Sequence, residues 1–192
     1  MYRVNEIFLS LQGEGYHTGM PAVFVRFSMC NLACPWCDTD FAAYTPMSAA
    51  DIVAEVERVA GNLSAAATAV RPLLVLTGGE PSLQVDDALV EALHNAGWYV
   101  CIETNGTHPL PAAIDWVTCS PKEHSRVVLS QVSELKVVYL AQDVEAWRRQ
   151  ISASHYYLQP CSCNNTDAVV AYILAHPWWR LSLQTQKYLD IK

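Results

Sequence analysis

Ala22-Val23-Phe24-Val25-Arg26-Phe27-Ser28 runs without a break into Met29-Cys30-Asn31-Leu32-Ala33-Cys34-Pro35-Trp36-Cys37. The first half is almost continuously apolar and rich in β-branched and aromatic residues, as a strand covered on both faces requires. The second half has no apolar period and reads as a loop leaving that strand's carboxyl end. The same apolar run recurs near Leu73–Thr77, Trp98–Glu103, Ile114–Cys119, Glu134–Val138 and His155–Gln159. Helical patterns fill the gaps. Ser48 and Asp51 have the spacing of a capping box ahead of Ile52, Val53, Val56 and Val59 on one face. A second helix is predicted over Val85–Ala96, ended by Gly97, with others at Gln142–Gln150 and Thr166–Ala175.

Strands alternating with helices predict an α/β fold of mostly parallel strands joined by right-handed crossovers. Only ten residues, Pro109 and Pro111 among them, separate Glu103 from Ile114. A crossover with its helix usually needs about 10–12 or more. The expected architecture is therefore an incomplete, trimmed barrel of six strands in one domain, residues 1–192. Ligands in such folds sit beyond the carboxyl ends of the strands.

The composition, 52% hydrophobic and 16% charged, is that of a folded globular chain. Lys and Arg number 12 against 19 Asp and Glu, a net charge of −7, which argues against gripping a nucleic-acid backbone. No apolar run approaches the ~18–20 residues of a membrane span. The start, Met1-Tyr2-Arg3-Val4-Asn5-Glu6, lacks the pattern of a signal peptide, so a cytoplasmic location is expected. Seven cysteines cannot all pair, and clustered thiols in a reducing compartment more often bind metal. Cys101 and Cys119, inside apolar strands, read as small buried hydrophobes.

Cys30, Cys34 and Cys37, at C-x3-C-x2-C spacing on one loop, can wrap a single iron–sulfur cubane and leave one of its four irons without a protein ligand. Structural zinc, closed by a fourth thiol from Cys161-Ser162-Cys163, is the alternative. Other strand ends carry further polar groups: Thr77-Gly78-Gly79-Glu80-Pro81, Glu103-Thr104-Asn105-Gly106-Thr107, Ser120-Pro121-Lys122 and Gln159-Pro160-Cys161-Ser162. Each alone suits a turn; their shared rim favours a ligand site.

The cysteine spacing, with Trp36 before the last thiol, resembles the signature of the radical S-adenosylmethionine superfamily. The resemblance implies a [4Fe–4S] cluster on Cys30, Cys34 and Cys37. S-adenosylmethionine would chelate the open iron, and an electron from the cluster would break its C–S bond to release a 5′-deoxyadenosyl radical. Gly78, Gly79 and Glu80 would contact the methionine amino group. Glu103, Thr104, Asn105, Ser120, Pro121, Lys122, Gln159, Pro160, Cys161 and Ser162 would line the rest of the cofactor site.

The two ends of the chain narrow this further. Leu11-Gln12-Gly13-Glu14-Gly15 near the start, Cys37-Asp38-Thr39, the TGGEP, SPK and LQP stretches, and Arg180-Leu181-Ser182-Leu183-Gln184-Thr185-Gln186-Lys187-Tyr188-Leu189 near the end together resemble the 7-carboxy-7-deazaguanine synthases. The resemblance runs from one terminus to the other. It implies a radical ring contraction of 6-carboxy-5,6,7,8-tetrahydropterin with loss of ammonia, Mg2+ as a further cofactor, a homodimer, and flavodoxin or ferredoxin as electron donor. Thr39 would touch the magnesium; its alternative is a capping turn with Asp40. Leu11, Gln12, Gly13, Glu14, Thr77, Gln186 and Lys192, the last through its terminal carboxylate, would surround the pterin. Arg26, a charge on a buried strand, would pair with the substrate carboxylate or with an internal acid. The chain departs from the family at Gln186, where a histidine is usual, and is shorter than many relatives. Two rivals are a glycyl-radical activase, which shares the cysteine pattern, and a non-catalytic zinc or iron–sulfur module.

Overall fold

A computed structural model describes residues 1–37, 39–40, 42–63 and 71–192; Asp38 of the Cys37-Asp38-Thr39 motif lies outside them. Among these residues nine strands form one sheet in the order β3-β1-β2-β4-β5-β6-β7-β8-β9. The six strands expected from the apolar runs are present as β2 (Pro21–Phe27), β4 (Leu73–Gly78), β5 (Tyr99–Thr104), β6 (Trp116–Cys119), β7 (Gln131–Tyr139) and β8 (Ser152–Pro160). They pair in parallel throughout. Three strands were not anticipated. β1 (Tyr2–Leu11) pairs antiparallel with β2, β3 (Thr45–Met47) antiparallel with β1, and β9 (Arg180–Leu181) parallel with β8. Strand β1 mixes charged and apolar residues, while β3 and β9 are too short to show a period.

The helices α1 (Ala49–Ala60), α2 (Asp87–Asn95), α3 (Val144–Gln150) and α4 (Thr166–Ala175) match the expected ones, and a short α5 (Thr185–Leu189) follows β9. Both bonds of the capping box form: Asp51 N donates to Ser48 Oγ at 3.2 Å and Ser48 N to Asp51 Oδ2 at 2.8 Å. Asp86 caps α2, and Tyr2 OH donates to it at 2.6 Å, pinning the start of β1 to that helix. No helix joins β5 to β6, as the short spacing predicts, and none joins β6 to β7.

Side-chain alternation along the strands explains where the site lies. Val23, Val25, Phe27, Leu74, Leu76, Val100 and Ile102 face α1 and α2, where Ile52, Val56, Leu89 and Leu93 are fully buried against them. A second core joins Leu135, Val137 and Leu158 to Ile151, Val169 and Trp179. On the opposite face, β2, β4 and β5 pass from apolar to polar towards their carboxyl ends. Ala22, Phe24 and Arg26 lie opposite Leu73, Val75 and Thr77, and Leu73 and Val75 opposite Tyr99 and Cys101, two residues short of Glu103. Ala22, Leu73, Val75 and Cys101 form a small core there. The connection from β1 to β2 lies over this face, stacking Tyr16 on Trp116 with ring centroids 4.9 Å apart.

Glu145 of α3 ties the last third together. Its Oε1 accepts from Trp179 Nε1 at 2.7 Å and Trp178 Nε1 at 3.1 Å, and its Oε2 from Arg148 Nε at 2.8 Å. Burial would raise its pKa, but the Arg148 bond and the two indole donors outweigh that and hold it at about 2. Its folded pKa lies below the unfolded value, so its stabilisation is present above about pH 4.5 and lost as pH falls towards about 2. Glu145→Gln should destabilise by about 1–2 kcal/mol at pH 7, read from the urea midpoint, and remove this part of the acid limb. An unchanged midpoint with an unchanged acid limb would show that this junction is not held by its charge.

Candidate active site

The turn after β4 packs directly on the cysteine loop. Gly79 N donates to Phe27 O at 2.9 Å and Glu80 N to Met29 O at 2.8 Å. A Cβ on Gly79 would stand 2.0 Å from Met29 O, and one on Gly78, whose φ is +126°, 2.1 Å from Phe27 O. The two glycines are required because backbone lies on backbone here. Glu80, 1% exposed, accepts from Thr104 Oγ1 at 2.6 Å, Asn105 N at 2.7 Å and Ser82 N at 3.0 Å. Its carboxylate locks the β4 turn to the end of β5. Asn105 continues the chain of contacts, donating through Nδ2 to Asn31 Oδ1 at 3.1 Å within the cysteine loop.

A cavity of about 470 Å³ opens at this rim. Cys30, Cys34 and Cys37 line it with Gly78, Gly79, Thr104, Asn105, Ser120, Lys122, Gln159, Pro160, Cys161 and Ser162. Two members of the expected cofactor set do not line it: Pro121 is buried outside the wall, and Glu80, expected to meet the methionine amino group, makes the internal bonds above. Three soft thiols on one loop are the donor set of an iron–sulfur cluster. A closely packed glycine turn beside them leaves peptide groups facing the same space. The residues present fit a cluster with a small polar ligand next to it, in a cavity of ordinary ligand size.

A second cavity of about 430 Å³ adjoins the first. Glu14, Thr39, Thr77, Glu103 and Gln184 line both, so the two form one cleft. Leu11, Gln12, Gly13, Arg26, Gln186 and Lys192, all expected to surround one ligand, line the second together with Glu6 and Phe8, which the sequence did not single out. Arg26 has an internal partner: its Nε donates to Glu6 Oε1 at 2.9 Å. Lys192 Nζ donates to the other oxygen, Glu6 Oε2, at 2.6 Å, and the Lys192 main-chain oxygen accepts from Ser10 Oγ at 2.6 Å. Both cations lie over the Phe8 ring, 5.5 and 5.3 Å from its centroid. The end of the chain is thus clamped onto β1.

Where the cavities meet, Lys136 carries the electrostatics. It is 4% exposed, and its Nζ donates to Glu14 Oε2 at 2.5 Å and Glu103 Oε2 at 2.8 Å. Gln184 Nε2 adds a bond to Glu14 Oε1 at 2.9 Å, and Gln12 Nε2 reaches Glu103 Oε1 at 3.4 Å. Burial opposes the charge on every member. For Glu14 the Lys136 ammonium and the amide donors win, and its pKa falls to about 2. For Glu103 burial wins over Lys136, and the pKa rises. Burial opposes the Lys136 ammonium as well, but its two carboxylate partners raise its pKa. Glu134, two residues earlier on β7, is pushed up to about 7 by burial, which Lys136 only partly offsets and which repulsion from Glu103 reinforces. Lys136 was missed in the sequence, although a lysine inside the apolar run Glu134–Val138 raises the same question as Arg26. Gln186 is held through Nε2, 3.5 Å from Glu14 Oε1, while its Oε1 is buried without a hydrogen-bond partner against Gly13.

A sequence model of the radical SAM superfamily matches residues 24–153. The 7-carboxy-7-deazaguanine synthase of Bacteroides thetaiotaomicron is 55% identical over 192 residues, covering 100% of both chains. That of Caulobacter vibrioides is 43% identical over 208 positions, covering 99% of each. Among solved structures, the crystal structure of QueE from Escherichia coli superposes with a TM-score of 0.75 at 31% identity, covering 95% of this chain and 93% of that one. With a thiol-lined chamber at the strand ends and relatives alike over their full length, the chain belongs to the radical SAM superfamily and, within it, to the 7-carboxy-7-deazaguanine synthases.

Proposed function

We propose that the chain converts 6-carboxy-5,6,7,8-tetrahydropterin into 7-carboxy-7-deazaguanine and ammonia. The observation that carries the reading is the continuity of the cleft: the chamber lined by the three cysteines opens, through Glu14, Thr39, Thr77, Glu103 and Gln184, into one rimmed by Arg26 and Lys192. Substrate and product differ by ammonia alone, so the reaction needs no net oxidant. A [4Fe–4S] cluster on Cys30, Cys34 and Cys37, with S-adenosylmethionine bound, supplies the hydrogen-abstracting radical.

The protein's own part is to bind, orient and handle protons. Arg26, already steadied by Glu6, presents its remaining guanidinium N–H groups to the substrate carboxylate. Glu14, kept ionised by Lys136, accepts from the N–H donors of the pterin's guanidine-like edge. The terminal carboxylate of Lys192, fixed by Ser10, does the same from the other side. Gln186 borders the same chamber where the family carries a histidine. Glu103 Oε1, which among the described residues accepts only the long contact from Gln12, would take up or return a proton as the ring contracts. Thr39 lines both chambers, and its hydroxyl would hold Mg2+ together with waters and substrate oxygens. The same reading takes in one domain over residues 1–192, a homodimer, a cytoplasmic location, and flavodoxin or ferredoxin as the one-electron reductant. Among the described residues no helix is long and apolar enough to cross a membrane.

Replacing Cys30, Cys34 or Cys37 by Ala should abolish both the brown iron–sulfur absorbance of anaerobically reconstituted protein and the formation of 5′-deoxyadenosine. A variant retaining the full signal of both would contradict the cluster assignment. Lys136→Met leaves Glu14 and Glu103 without their cation in a buried place. It should lower stability by about 3–5 kcal/mol, and Lys136→Arg should recover part of that loss, as read from denaturant midpoints. A Met variant as stable as the parent would remove the triad from this account. A short extension after Lys192 should raise KM for the pterin several-fold while leaving S-adenosylmethionine binding intact; an unchanged KM would show that the tail does not face the substrate.

A further inference from the structure

The thiol-lined chamber contains a second lysine whose charge is not spoken for. Lys136 is balanced by two carboxylates. Lys122, in the same wall, donates to Ser120 Oγ at 2.7 Å, and among the described residues no carboxylate pairs with it. Its Nζ lies 5.3 Å from the centre of the Trp36 ring, between Cys34 and Cys37 in the loop. Burial and repulsion from Lys136 work against its ammonium, while Cys34 and Glu14 work in its favour. A partly buried ammonium without an anion is costly, and the cost disappears when an anion is placed beside it.

Three thiolates outweigh the positive charge of a cubane core, so the assembly is anionic and becomes more so when reduced. A cation held close by stabilises the reduced form more than the oxidised one, because net charge and solvent exposure set the potential of such clusters. We propose that Lys122, held on the face of Trp36, raises the reduction potential of the cluster carried by Cys30, Cys34 and Cys37. The inference rests on the cluster assignment made above. Lys122 also belongs to the expected cofactor site, but on the cluster itself it acts through space, so this effect sets how readily the electron arrives rather than which bond is broken. The aromatic residue before the last cysteine thereby has a function in this chain: it is the platform on which the Lys122 ammonium rests beside the loop.

The experiment is a redox titration of the reconstituted holoprotein without S-adenosylmethionine, followed by electron paramagnetic resonance. Wild type is compared with Lys122→Met, Lys122→Gln and Lys122→Arg, and iron per chain is measured in each. Both neutral variants should assemble the full cluster and titrate at a more negative midpoint than wild type. The Arg variant, which keeps the charge and stacks well on an aromatic face, should titrate close to wild type. Should one neutral variant lose its iron, the other gives the reading. A full cluster with an unmoved midpoint in either neutral variant overturns this inference alone, as does an Arg variant shifted as far as Met. Wild type that binds no cluster under these conditions overturns the inference together with the assignment beneath it.

Discussion

A single buried ammonium holds the catalytic face together. Lys136 projects from β7 between Glu14, on the connection that follows β1, and Glu103, at the end of β5. None of these elements is adjacent to another in the sheet. The ion triad thus sets the distance between the covering connection and the strands beneath it. It also divides the cleft, since Glu14 and Glu103 belong to both chambers. The arrangement keeps one carboxylate firmly ionised and lets the other drift upward, so two like groups bonded to one lysine are given different protonation behaviour.

The second constraint is contact between main chains. The β4 turn can lie on the cysteine loop only because Gly78 and Gly79 carry no Cβ. Glu80 then fastens that turn to Thr104 and Asn105, and Asn105 to Asn31. The loop bearing the thiols is therefore positioned by two neighbouring strand ends and not by its own sequence. Lys122 and Trp36 add a contact from a third strand end.

Much of this was legible in the sequence. Near-continuous apolar runs located all six central strands, and the Ser48–Asp51 spacing gave a capping box that forms bond for bond. The cysteine spacing and the motifs near both ends pointed to the family that the relatives establish. What escaped did so for physical reasons. Strand β1 carries Arg3, Asn5 and Glu6 among its apolar residues and looks like no simple period. That Glu80 also braces the β4 turn against Thr104 and Asn105 could not be read locally, because those partners lie on another strand. Glu6 and Lys136 acquire meaning only from partners far away in the chain: Arg26 and Lys192 for one, Glu14 and Glu103 for the other. Distant ion pairs leave no local pattern to read.

The central claim is that one cleft brings a cluster-bound radical source to a carboxylated pterin. The most direct measurement is anaerobic incubation of the reconstituted protein with 6-carboxy-5,6,7,8-tetrahydropterin, S-adenosylmethionine and a low-potential reductant, followed by mass analysis. The account predicts a product lighter than the substrate by one ammonia, in many-fold excess over any S-adenosylmethionine consumed. Intact substrate in the presence of a complete cluster, or consumption of one S-adenosylmethionine per product, would contradict it.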